Sequence, residues 1–493
     1  MAGVLALMAF FHLTSLGRET EPAIRVETTP VNRDAKLGSS LAPVVKKATP
    51  SVVYIYTTRF IRERPTRNPL LNDPYFRQFF GDRLPNDDRE RTRREQGLGS
   101  GVIVSSDGYI LTANHVAEGA DEIKVSIGGN KKEYTARVIG TDPPTDVAVL
   151  KIDAKDLPAI TLGDSDQLEV GDIVLAIGDP FGLRQTVTMG IVSALGRGNL
   201  FLGRGDQYQY ENFIQTDAPI KPGNSGGALV DAEGRLVGIN TAILPSGEGV
   251  GFAVPINMAS RVMQHLISNG KVTRGYLGVT LQDIDAGLAN HFNLPDQNVA
   301  LVDDVMPDTP AAKAGIKSGD AIVEFDGKKI AGANDLILLV SQSAPAARSA
   351  IKLVRDGQEK SLNITLTELP QTGQNLNREG SVPVKSRTTA DALDGVAVAD
   401  LETPVRYQLE VPAGVSGALV AAVERDSNAA EAGLTRGDII LEINGQPVNN
   451  AADAVSLGRQ AKGSQIYLRI WHRTERFAGT RYLSVDNTKK PGQ

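Results

Sequence analysis

Cysteine is absent from the 493-residue chain, and aromatic residues are scarce at 5%. Disulfide bonds and thiolate chemistry are therefore excluded, although the absence of cysteine does not identify a compartment. Basic residues are not in excess, because 52 Lys and Arg stand against 58 Asp and Glu. Without a dominant basic stripe we expect no binding of nucleic acid. The length predicts several domains, and the 50 glycines suit short strands joined by many turns.

Histidine is also rare, with five residues in the whole chain. Among them, His115 lies at the end of an apolar strand predicted over 110–113 and at the start of a helix-prone stretch. A capping role for His115 is the alternative interpretation. His265 lies inside an amphipathic helix predicted over 258–269, where a packing or surface role is expected.

Small residues surround a single serine in the segment Gly223-Asn224-Ser225-Gly226-Gly227. Glycine permits positive φ and a close approach of the backbone to another molecule, which a nucleophilic serine on a tight turn requires. The backbone N–H groups of Gly223 and Ser225 are the natural donors to the oxygen of a carbonyl group under attack. By itself the segment is equally compatible with an ordinary loop.

A serine nucleophile needs a base that accepts its proton and a carboxylate that orients the base. Asp146 immediately precedes a β-branched strand predicted over 147–150 and is the favoured carboxylate. Asp142 competes with it but precedes two prolines instead of the strand. The chain order is therefore His115, Asp146, Ser225, which is the order used by chymotrypsin-type barrels.

The chain resembles the HtrA/Deg family of serine proteases from about residue 40 onward. The segments that carry the resemblance are LGSGVIVSSDGYILTANHV (98–116), TDVAVLKI (145–152), GDIVLAIGDPFG (171–182) and IQTDAPIKPGNSGGALVDAEGRLVGIN (214–240). The resemblance implies a mainly β fold: a chymotrypsin-like double β-barrel protease followed by two PDZ domains of the α+β class. It also implies that His115 is the general base, Asp146 its orienting residue and Ser225 the nucleophile.

An internal repeat occupies the C-terminal half, because residues 302–330 align without gaps on residues 420–448. Each copy predicts a strand, a short helix (311–314 and 429–432), a further strand and an Asp-Gly or Asn-Gly turn. Both copies resemble the PDZ domains of the family, which bind C-terminal peptides as an added strand. In the first copy, the residues that match the family's carboxylate loop are Tyr276, Leu277, Gly278 and Val279. In the second copy, the segment 412–417 departs from that pattern, which leaves its peptide binding open.

The predicted boundaries follow from these segments and from changes in composition. They are a signal peptide or membrane anchor (1–17), a linker (18–40), the protease domain (41–270), the first PDZ domain (271–370), a linker (371–394) and the second PDZ domain (395–487). The linker 371–394 predicts that the two PDZ modules move independently. A long loop over 59–97 contains an aromatic segment at 74–81 that covers its own barrel or inserts into another subunit. The Arg-rich run 89–95 is interpreted as solvated loop.

The N-terminal apolar run over 4–11 is too short for a membrane span, which needs ~20 residues, and suits a signal-peptide core. No Lys or Arg precedes it and no Ala-x-Ala cleavage site follows, so an uncleaved anchor and a buried helix remain alternatives. The resemblance implies a periplasmic, extracytoplasmic location. It also implies a homotrimer or a multiple of trimers.

In chymotrypsin-like pockets, which the resemblance implies here, the residue six positions before the serine lies at the base and sets the charge preference; in this chain it is Pro219. The facing wall is expected to include Thr241, Ala242 and Ile243, again without charge. A small apolar pocket follows, which predicts cleavage after Val, Ala or Ile. Asn224 cannot form the ion pair that activates zymogens of digestive relatives, so activation is expected to come from loop movement.

These observations predict an ATP-independent serine endoprotease that degrades unfolded or damaged extracytoplasmic proteins under PDZ control. No metal or cofactor is expected, because nothing in the sequence resembles a ligand cluster. One alternative is a chaperone or peptide-binding scaffold on an inactive barrel. An esterase is a second alternative, which the chain order and the absence of a Gly-x-Ser-x-Gly segment disfavour.

Overall fold

The structure is a computed structural model in which the chain divides into two compact units. The first unit comprises residues 1–197 and 212–272, and the second comprises residues 198–211 and 273–493. The predicted signal or anchor segment 1–17 and the aromatic segment 74–81 lie outside the described residues. The structure describes residues 22–30, 33, 40–63, 91–128, 132–180, 185–198, 210–221, 223–243, 249–294, 296–370, 390–393, 395–473 and 478–488.

The first unit begins with a closed barrel of six antiparallel strands in the order β1-β2-β3-β6-β5-β4. Its apolar runs supply the barrel interior, since every residue of β3 is buried and only one residue of β6 is not. Short β-branched runs of this kind favour strands buried on both faces. The strands are β1 Val52–Glu63, β2 Arg91–Ile103, β3 Tyr109–Ala113, β4 Glu122–Ile127, β5 Glu133–Asp142 and β6 Val147–Ile152.

A second closed barrel in the same unit has the order β10-β11-β12-β9-β8-β7. Strands β10 and β12 are buried along their whole length. The strands are β7 Ile173–Gly178, β8 Thr186–Arg197, β9 Phe213–Thr216, β10 Ala228–Asp231, β11 Leu236–Ile243 and β12 Gly251–Pro255.

Helices are few among the described residues of the first unit. The predicted helix over 258–269 is confirmed as α3, which begins two residues earlier and ends before Gly270, a left-handed cap with φ +70°. The helices are α1 Ala42–Ala48, α2 Asn114–Ala117 and α3 Ile256–Asn269, with 3-10 turns at Thr49–Ser51, Pro143–Thr145 and Ser165–Gln167.

The first PDZ module lies in the second unit and has a sheet in the order β14-β15-β16-β18-β19. Strand β17 pairs with β16, and β13 pairs with β20 in a separate two-stranded sheet. The strands are β13 Gly275–Tyr276, β14 Val279–Gln282, β15 Ala300–Val305, β16 Ala321–Phe325, β17 Lys328–Lys329, β18 Arg348–Arg355, β19 Gln358–Thr365 and β20 Thr367–Glu368. The helices are α4 Ala286–His291, α5 Pro310–Ala314 and α6 Ala333–Gln342.

The second PDZ module has the sheet order β21-β22-β23-β24-β26-β27, and β25 pairs with β24. Its strands are β21 Ala390–Leu393, β22 Val396–Asp400, β23 Ala418–Val423, β24 Ile439–Ile443, β25 Gln446–Pro447, β26 Gln465–Arg473 and β27 Ala478–Asp486. Its helices are α7 Thr403–Gln408, α8 Asn428–Glu431 and α9 Ala451–Gln460. The short helices predicted from the repeat are confirmed as α5 and α8, each shifted by about one residue.

The two PDZ modules contact each other, whereas the sequence predicts independent movement. Gln282 at the end of β14 donates to Tyr482 O at 3.2 Å and accepts from Tyr482 N at 2.7 Å. The His291 ring stacks on the Tyr467 ring with centroids 4.0 Å apart. Asp303 is buried here at 2% exposure, and burial raises the pKa of its carboxyl group to about 8.

Two predicted loop segments differ from the structure. Residues 390–393, expected in the linker 371–394, form strand β21 because β22 offers them a free edge and a buried apolar face. Residues 91–95 of the Arg-rich run belong to β2, which pairs with β1 along its whole length. Charge alternation marked this stretch as solvated, but backbone pairing in a hairpin does not require apolar side chains.

Candidate active site

The segment that carries Ser225 precedes β10 and is held by the first barrel. Ser100 in β2 donates its backbone N–H to Ser225 O at 2.9 Å. Its hydroxyl donates to Gly223 O at 2.6 Å and accepts from Asp179 N at 2.8 Å. Because Ser100 is fully buried, these bonds are shielded from water and fix the residues on both sides of Asn224.

Close packing at this junction between the barrels depends on glycine. Gly226 has φ +81°, and a Cβ atom added there would collide with Ser100 O and Thr112 Oγ1. A Cβ atom added at Gly99 would lie 2.6 Å from Val116 Cγ1. Larger residues would push the serine segment away from the first barrel.

His115 and Asp146 are brought together because β3 and β6 are paired neighbours. Ala113 at the end of β3 lies opposite Val147 at the start of β6, so the residues beyond these ends lie side by side. Asp146 O accepts from Asn114 N at 3.0 Å. The His115 ring nitrogen Nδ1 lies 2.9 Å from Asp146 Oδ2 and 3.1 Å from Oδ1, and the backbone N–H of His115 donates to Oδ1 at 3.0 Å.

Asp146 adopts a left-handed backbone conformation with φ 56° and ψ 39°. This conformation is uncommon outside glycine and costs ~1–3 kcal/mol, so it persists only where the surroundings impose it. Here its N–H donates to Pro143 O at 3.1 Å. The hydroxyl of Thr241, on β11 of the second barrel, donates to Asp146 Oδ2. Both barrels therefore orient this one carboxylate.

Asp142, the competing carboxylate, has a different environment. It is buried at 4% exposure, and its Oδ2 accepts from the hydroxyl of Thr145. Both hydrogen bonds of the His115 ring to described residues go to Asp146. The geometry therefore favours Asp146 over Asp142 as the partner of the imidazole.

The pKa of His115 is set by two opposing effects. Partial burial of the ring lowers it, but the hydrogen bond and the negative charge of Asp146 outweigh the burial, and the net pKa is raised. The His115 side chain remains 47% exposed. The ring is thus basic and open to solvent on one side, as a proton acceptor requires.

The expected pocket residues lie on the second barrel. Pro219 is exposed, and its carbonyl accepts from Thr188 Oγ1 at 2.8 Å. The next residue, Ile220, is buried, and a Cβ atom added at Gly251 would lie 2.9 Å from Ile220 Cδ1. The side chain of Ile220 therefore packs against Gly251 on β12, next to Pro219 in the chain. We add Ile220 to the expected pocket residues.

The facing wall is only partly described. Thr241 is buried at 5% exposure, and its hydroxyl is engaged with Asp146, so it serves the carboxylate as well as the wall. Ala242 and Ile243 pair with β12 through their backbones, whereas their side chains lie outside the described residues.

Sequence reasoning missed Ser100 and the role of the Thr241 hydroxyl. The only signal for Ser100 in the sequence is its place between Gly99 and Gly101. Such a glycine-rich segment is also compatible with a nucleotide-binding loop, so it does not point to this role. The bond of Thr241 joins residues 95 positions apart in the chain, and no local pattern predicts such a contact.

The peptide-binding loop predicted for the first PDZ module connects β13 with β14. Gly278 has φ +84° and accepts from Met306 N at 2.9 Å. Leu277 is buried in the module core, and its carbonyl accepts from Ala311 N at 2.9 Å. These bonds hold Leu277 and Gly278 in place between Tyr276, the last residue of β13, and Val279, the first residue of β14.

Two searches over the described part of the chain gave negative results. No group of three or more His, Asp or Glu residues there could hold a metal ion. No helix within the described ranges is long and apolar enough to cross a membrane.

Comparison with known families agrees with this architecture. Residues 99–239 match the family model described as a trypsin-like peptidase domain. Residues 275–366 and 419–472 each match a family model described as a PDZ domain. The two barrels and the two modules thus define a trypsin-like peptidase joined to tandem PDZ domains, which confirms the predicted fold class.

Individual relatives are similar over most of the chain. A protein of Chlamydia trachomatis named "Probable periplasmic serine endoprotease DegP-like" is 39% identical over 442 residues, covering 87% of this chain and 85% of that protein. A protein of the same name from Ectopseudomonas mendocina is 40% identical over 440 residues, covering 87% and 90%.

Solved structures give the same result. The structure titled "HtrA-type protease AlgW with tripeptide" matches with a TM-score of 0.55 and 42% identity, covering 68% of this chain and 99% of that chain. The structure titled "HtrA-type protease AlgW with decapeptide" matches with a TM-score of 0.53 and 44% identity, covering 68% and 100%. This chain belongs to the HtrA family of DegP-like serine endoproteases and is a serine-type endopeptidase.

Proposed function

We propose that this endopeptidase is ATP-independent and degrades unfolded or damaged proteins outside the cytoplasm, with His115, Asp146 and Ser225 as its catalytic residues. The observation that carries the proposal is the contact of His115 Nδ1 with both oxygens of Asp146 at the junction of the barrels. The tight glycine segment around Ser225, held there by Ser100, supports the role of the serine.

The mechanism follows from this arrangement. Asp146 holds the proton of His115 on Nδ1, which leaves Nε2 to take the proton from Ser225 Oγ as the hydroxyl attacks the substrate carbonyl. The N–H groups of Gly223 and Ser225 donate to the oxygen that becomes negative. His115 then returns the proton to the leaving amine, and a water molecule hydrolyses the acyl-enzyme by the same proton transfers.

Digestion of casein by the full chain tests the catalytic assignment. Ser225→Ala and His115→Ala should each lower the rate by ~10⁴-fold or more, and the double variant should be no worse, because the residues act as one unit. Substantial activity that co-purifies with Ser225→Ala would refute the assignment. Prevention of casein aggregation by Ser225→Ala, measured in parallel, tests a chaperone role.

The pocket around Pro219 and Ile220 leads us to assign cleavage after small aliphatic residues such as Val, Ala and Ile. Pro219 and Ile220 carry no charge, and Thr241 uses its hydroxyl on Asp146. A buried Lys or Arg of the substrate would lose its hydration without gaining a partner, at a cost of several kcal/mol. Mass spectrometry of digested unfolded protein measures the preference, and a majority of cuts after basic residues would contradict it.

Peptide binding to the first PDZ module is assigned a regulatory role. Asn334 at the start of α6 donates to Glu211 O at 2.9 Å, and the Arg274 guanidinium lies 4.4 Å from the centre of the Tyr210 ring. Both partners belong to the segment 198–211, which forms part of the second unit although it connects β8 with β9 in the chain. A peptide that binds Tyr276–Val279 more tightly in the active arrangement would activate the protease. A difference of ~1.4 kcal/mol between its binding free energies to the two arrangements gives tenfold activation.

The Asn334 contact provides a test of that coupling in the full chain. Asn334→Ala should reduce the stimulation of casein hydrolysis by an apolar C-terminal peptide. Asn334→Asp keeps the size and shape of the side chain but cannot donate to Glu211 O. It should therefore reduce the stimulation as Asn334→Ala does, which separates loss of the hydrogen bond from loss of side-chain volume. Equal stimulation of wild type and both variants would make the module a tether for substrate and not a switch.

Export to the periplasm and assembly as a homotrimer or a multiple of trimers complete the proposal. The location rests on the relatives, which are named periplasmic proteases, and the trimeric assembly rests only on the family resemblance. Cell fractionation and light scattering of the purified full chain test them, and a cytoplasmic monomer would contradict both.

A further inference from the structure

The two PDZ modules differ at corresponding edge strands. In the first module, β14 pairs with β15 on one side, and no strand within the described ranges pairs with its other side. Strand β13, which precedes it, pairs with β20 instead. In the second module, the corresponding strand β22 pairs with β23 on one side and with β21 on the other. The second sheet therefore carries one strand more at this edge.

The direction of β21 is that of a bound peptide. β21 runs antiparallel to β22, with Ala390 opposite Val398 and Leu393 opposite Val396. A peptide bound to a PDZ domain adds as a strand at this edge, with its C-terminal end at the loop before the edge strand. Leu393 lies at that loop. Residues 390–393 thus take the position and direction of the last residues of a ligand.

The helix side of the groove is filled as well. Helix α9, the counterpart of α6, packs so closely on β21 that a Cβ atom added at Gly458 would collide with Ala392 O and lie 3.3 Å from Leu393 Cδ2. Ala392 and Leu393 are 3% and 8% exposed and belong to the core of the module together with Ala454. β21 therefore lies between β22 and α9, where the side chains of a ligand would be inserted.

This comparison also corrects the sequence-based alignment of the second module. The segment 412–417 precedes β23, not β22, so it is not the counterpart of the loop Tyr276–Val279. The counterpart is the turn between β21 and β22, in which Gly395 has φ +72° as Gly278 has φ +84°.

We infer that residues 390–393 act as a built-in strand ligand that closes the groove of the second PDZ module, so that each chain offers one peptide-binding edge, β14. The inference rests on the proposed peptide binding only for the assignment of β14. A tethered strand has an effective concentration of ~mM or more. A free peptide therefore binds the second groove more weakly than it would bind the open groove, and a released fraction of ~1% would weaken binding ~100-fold.

Binding stoichiometry in the full chain tests the inference. The probe is a fluorescein-labelled decapeptide with an apolar C-terminal residue, measured by calorimetry in a Ser225→Ala background that prevents its cleavage. The chain that carries only Ser225→Ala should bind one peptide, and it should not bind the same peptide with an amidated C-terminus. Gly278→Val, which crowds Thr309, should remove this one site.

A second variant opens the groove. Leu393→Asp places a charge in the apolar core and should release β21, which hydrogen exchange of residues 390–393 reports. The opened chain should bind a second peptide, whereas the size-matched control Leu393→Ile should bind one. If the released strand leaves the stoichiometry unchanged, the groove is not a ligand site and the inference is wrong.

A third variant keeps the test decisive if Leu393→Asp unfolds the module. Asp391→Cys with Ala397→Cys joins directly opposed residues in a chain that has no other cysteine, and such pairs suit disulfide geometry. Oxidised and reduced forms should both bind one peptide with equal affinity. Two peptides bound by the reduced form and one by the oxidised form would overturn the inference.

The assignment of β14 can fail separately. No binding to wild type but one peptide bound to Leu393→Asp would support closure of the second groove and refute only the assignment of β14.

Discussion

The two barrels share one site, whereas the two PDZ modules each have a groove of their own. In the barrels, Ser225 accepts a hydrogen bond from Ser100, and Thr241 donates to Asp146, which is paired with His115. In the PDZ modules, the ligand-binding elements are an edge strand and a helix of the same module. A site shared between two domains is lost when either changes, but a duplicated groove can close in one copy while the other stays open.

The difference has a physical origin in what each architecture leaves unpaired. Closed barrels have no free edges, and here the candidate site forms from loops and strand ends where the two barrels meet. A PDZ sheet keeps one free edge, which binds either a peptide or a strand of its own chain. β22 pairs with a strand of its own chain, and β14 is the edge to which we assign peptide binding.

Among the residues that orient the proposed nucleophile and base, Asp146→Asn should have the largest effect. Loss of the charge should lower kcat/KM by ~10⁴-fold, because the His115 ring is no longer held with its proton on Nδ1. Since Asp146 raises the pKa of His115, and only neutral imidazole accepts the serine proton, the acid limb of the pH–rate profile should move to lower pH in the variant. An unchanged acid limb would show that another group controls the profile.

Ser100→Ala tests whether the first barrel holds the serine segment. The change leaves Gly223 O and Asp179 N buried without their hydroxyl partner, which costs ~1–3 kcal/mol. We expect kcat to fall by ~10–100-fold with little change in KM, since the donors to the oxyanion lose their fixed position. The rate at which a fluorophosphonate labels Ser225 distinguishes a misplaced serine segment from a general loss of folding. Labelling of a folded variant at the wild-type rate would contradict the role of Ser100.

Thr241→Val removes the contribution of the second barrel to the Asp146 carboxylate. A loss of about tenfold in kcat is expected, because a hydrogen bond to a charged group contributes ~1.5–3 kcal/mol and water replaces it in part. Thr241→Ser keeps the hydroxyl and should retain most of the activity. Equal losses in the two variants would indicate a packing effect and not the hydrogen bond.

The smallest effect on activity is expected at the contact between the PDZ modules, where the predicted change is in stability. The folded pKa of Asp303 is raised from 3.8 to about 8, so the folded state binds a proton more tightly than the unfolded state. Stability of the second unit should therefore fall as pH rises from about 4 to 8, following the linkage relation.

Asp303→Asn should remove this pH dependence. At pH 8 the variant should unfold at a higher temperature than wild type by at least ~2–4 °C, since that rise corresponds to ~1 kcal/mol and the pKa shift represents several kcal/mol. Differential scanning calorimetry of the full chain at pH 5 and pH 8 measures both values. A variant that is less stable than wild type at pH 8 would show that the charged carboxylate is stabilised by the nearby Arg469 and Arg481.

Much of the architecture was predictable because its signals are local. Alternating apolar runs, the Asp-Gly and Asn-Gly turns at Asp326 and Asn444, and the repeat that produced α5 and α8 are each contained in a few residues. The choice of Asp146 over Asp142 was also local, because only Asp146 adjoins a strand that pairs with the strand before His115.

Contacts between distant segments were not predictable in this way. The bonds from Ser100 to the serine segment and from Thr241 to Asp146 join different barrels, and their residues have no distinctive neighbours. Residues 390–393 look like linker in the sequence, since two alanines, an aspartate and one leucine carry a weak strand signal. Their pairing depends on an edge that β22 and α9 provide.

The sequence by itself determined the barrels, the PDZ repeat and the residue types of the site, because hydrophobic periodicity and turn chemistry act over a few neighbouring residues. The tertiary structure alone decided which side chains orient Asp146, how Ser225 is held and which PDZ edge is open. Those features depend on the distance between segments far apart in the chain, and packing, not local preference, sets that distance.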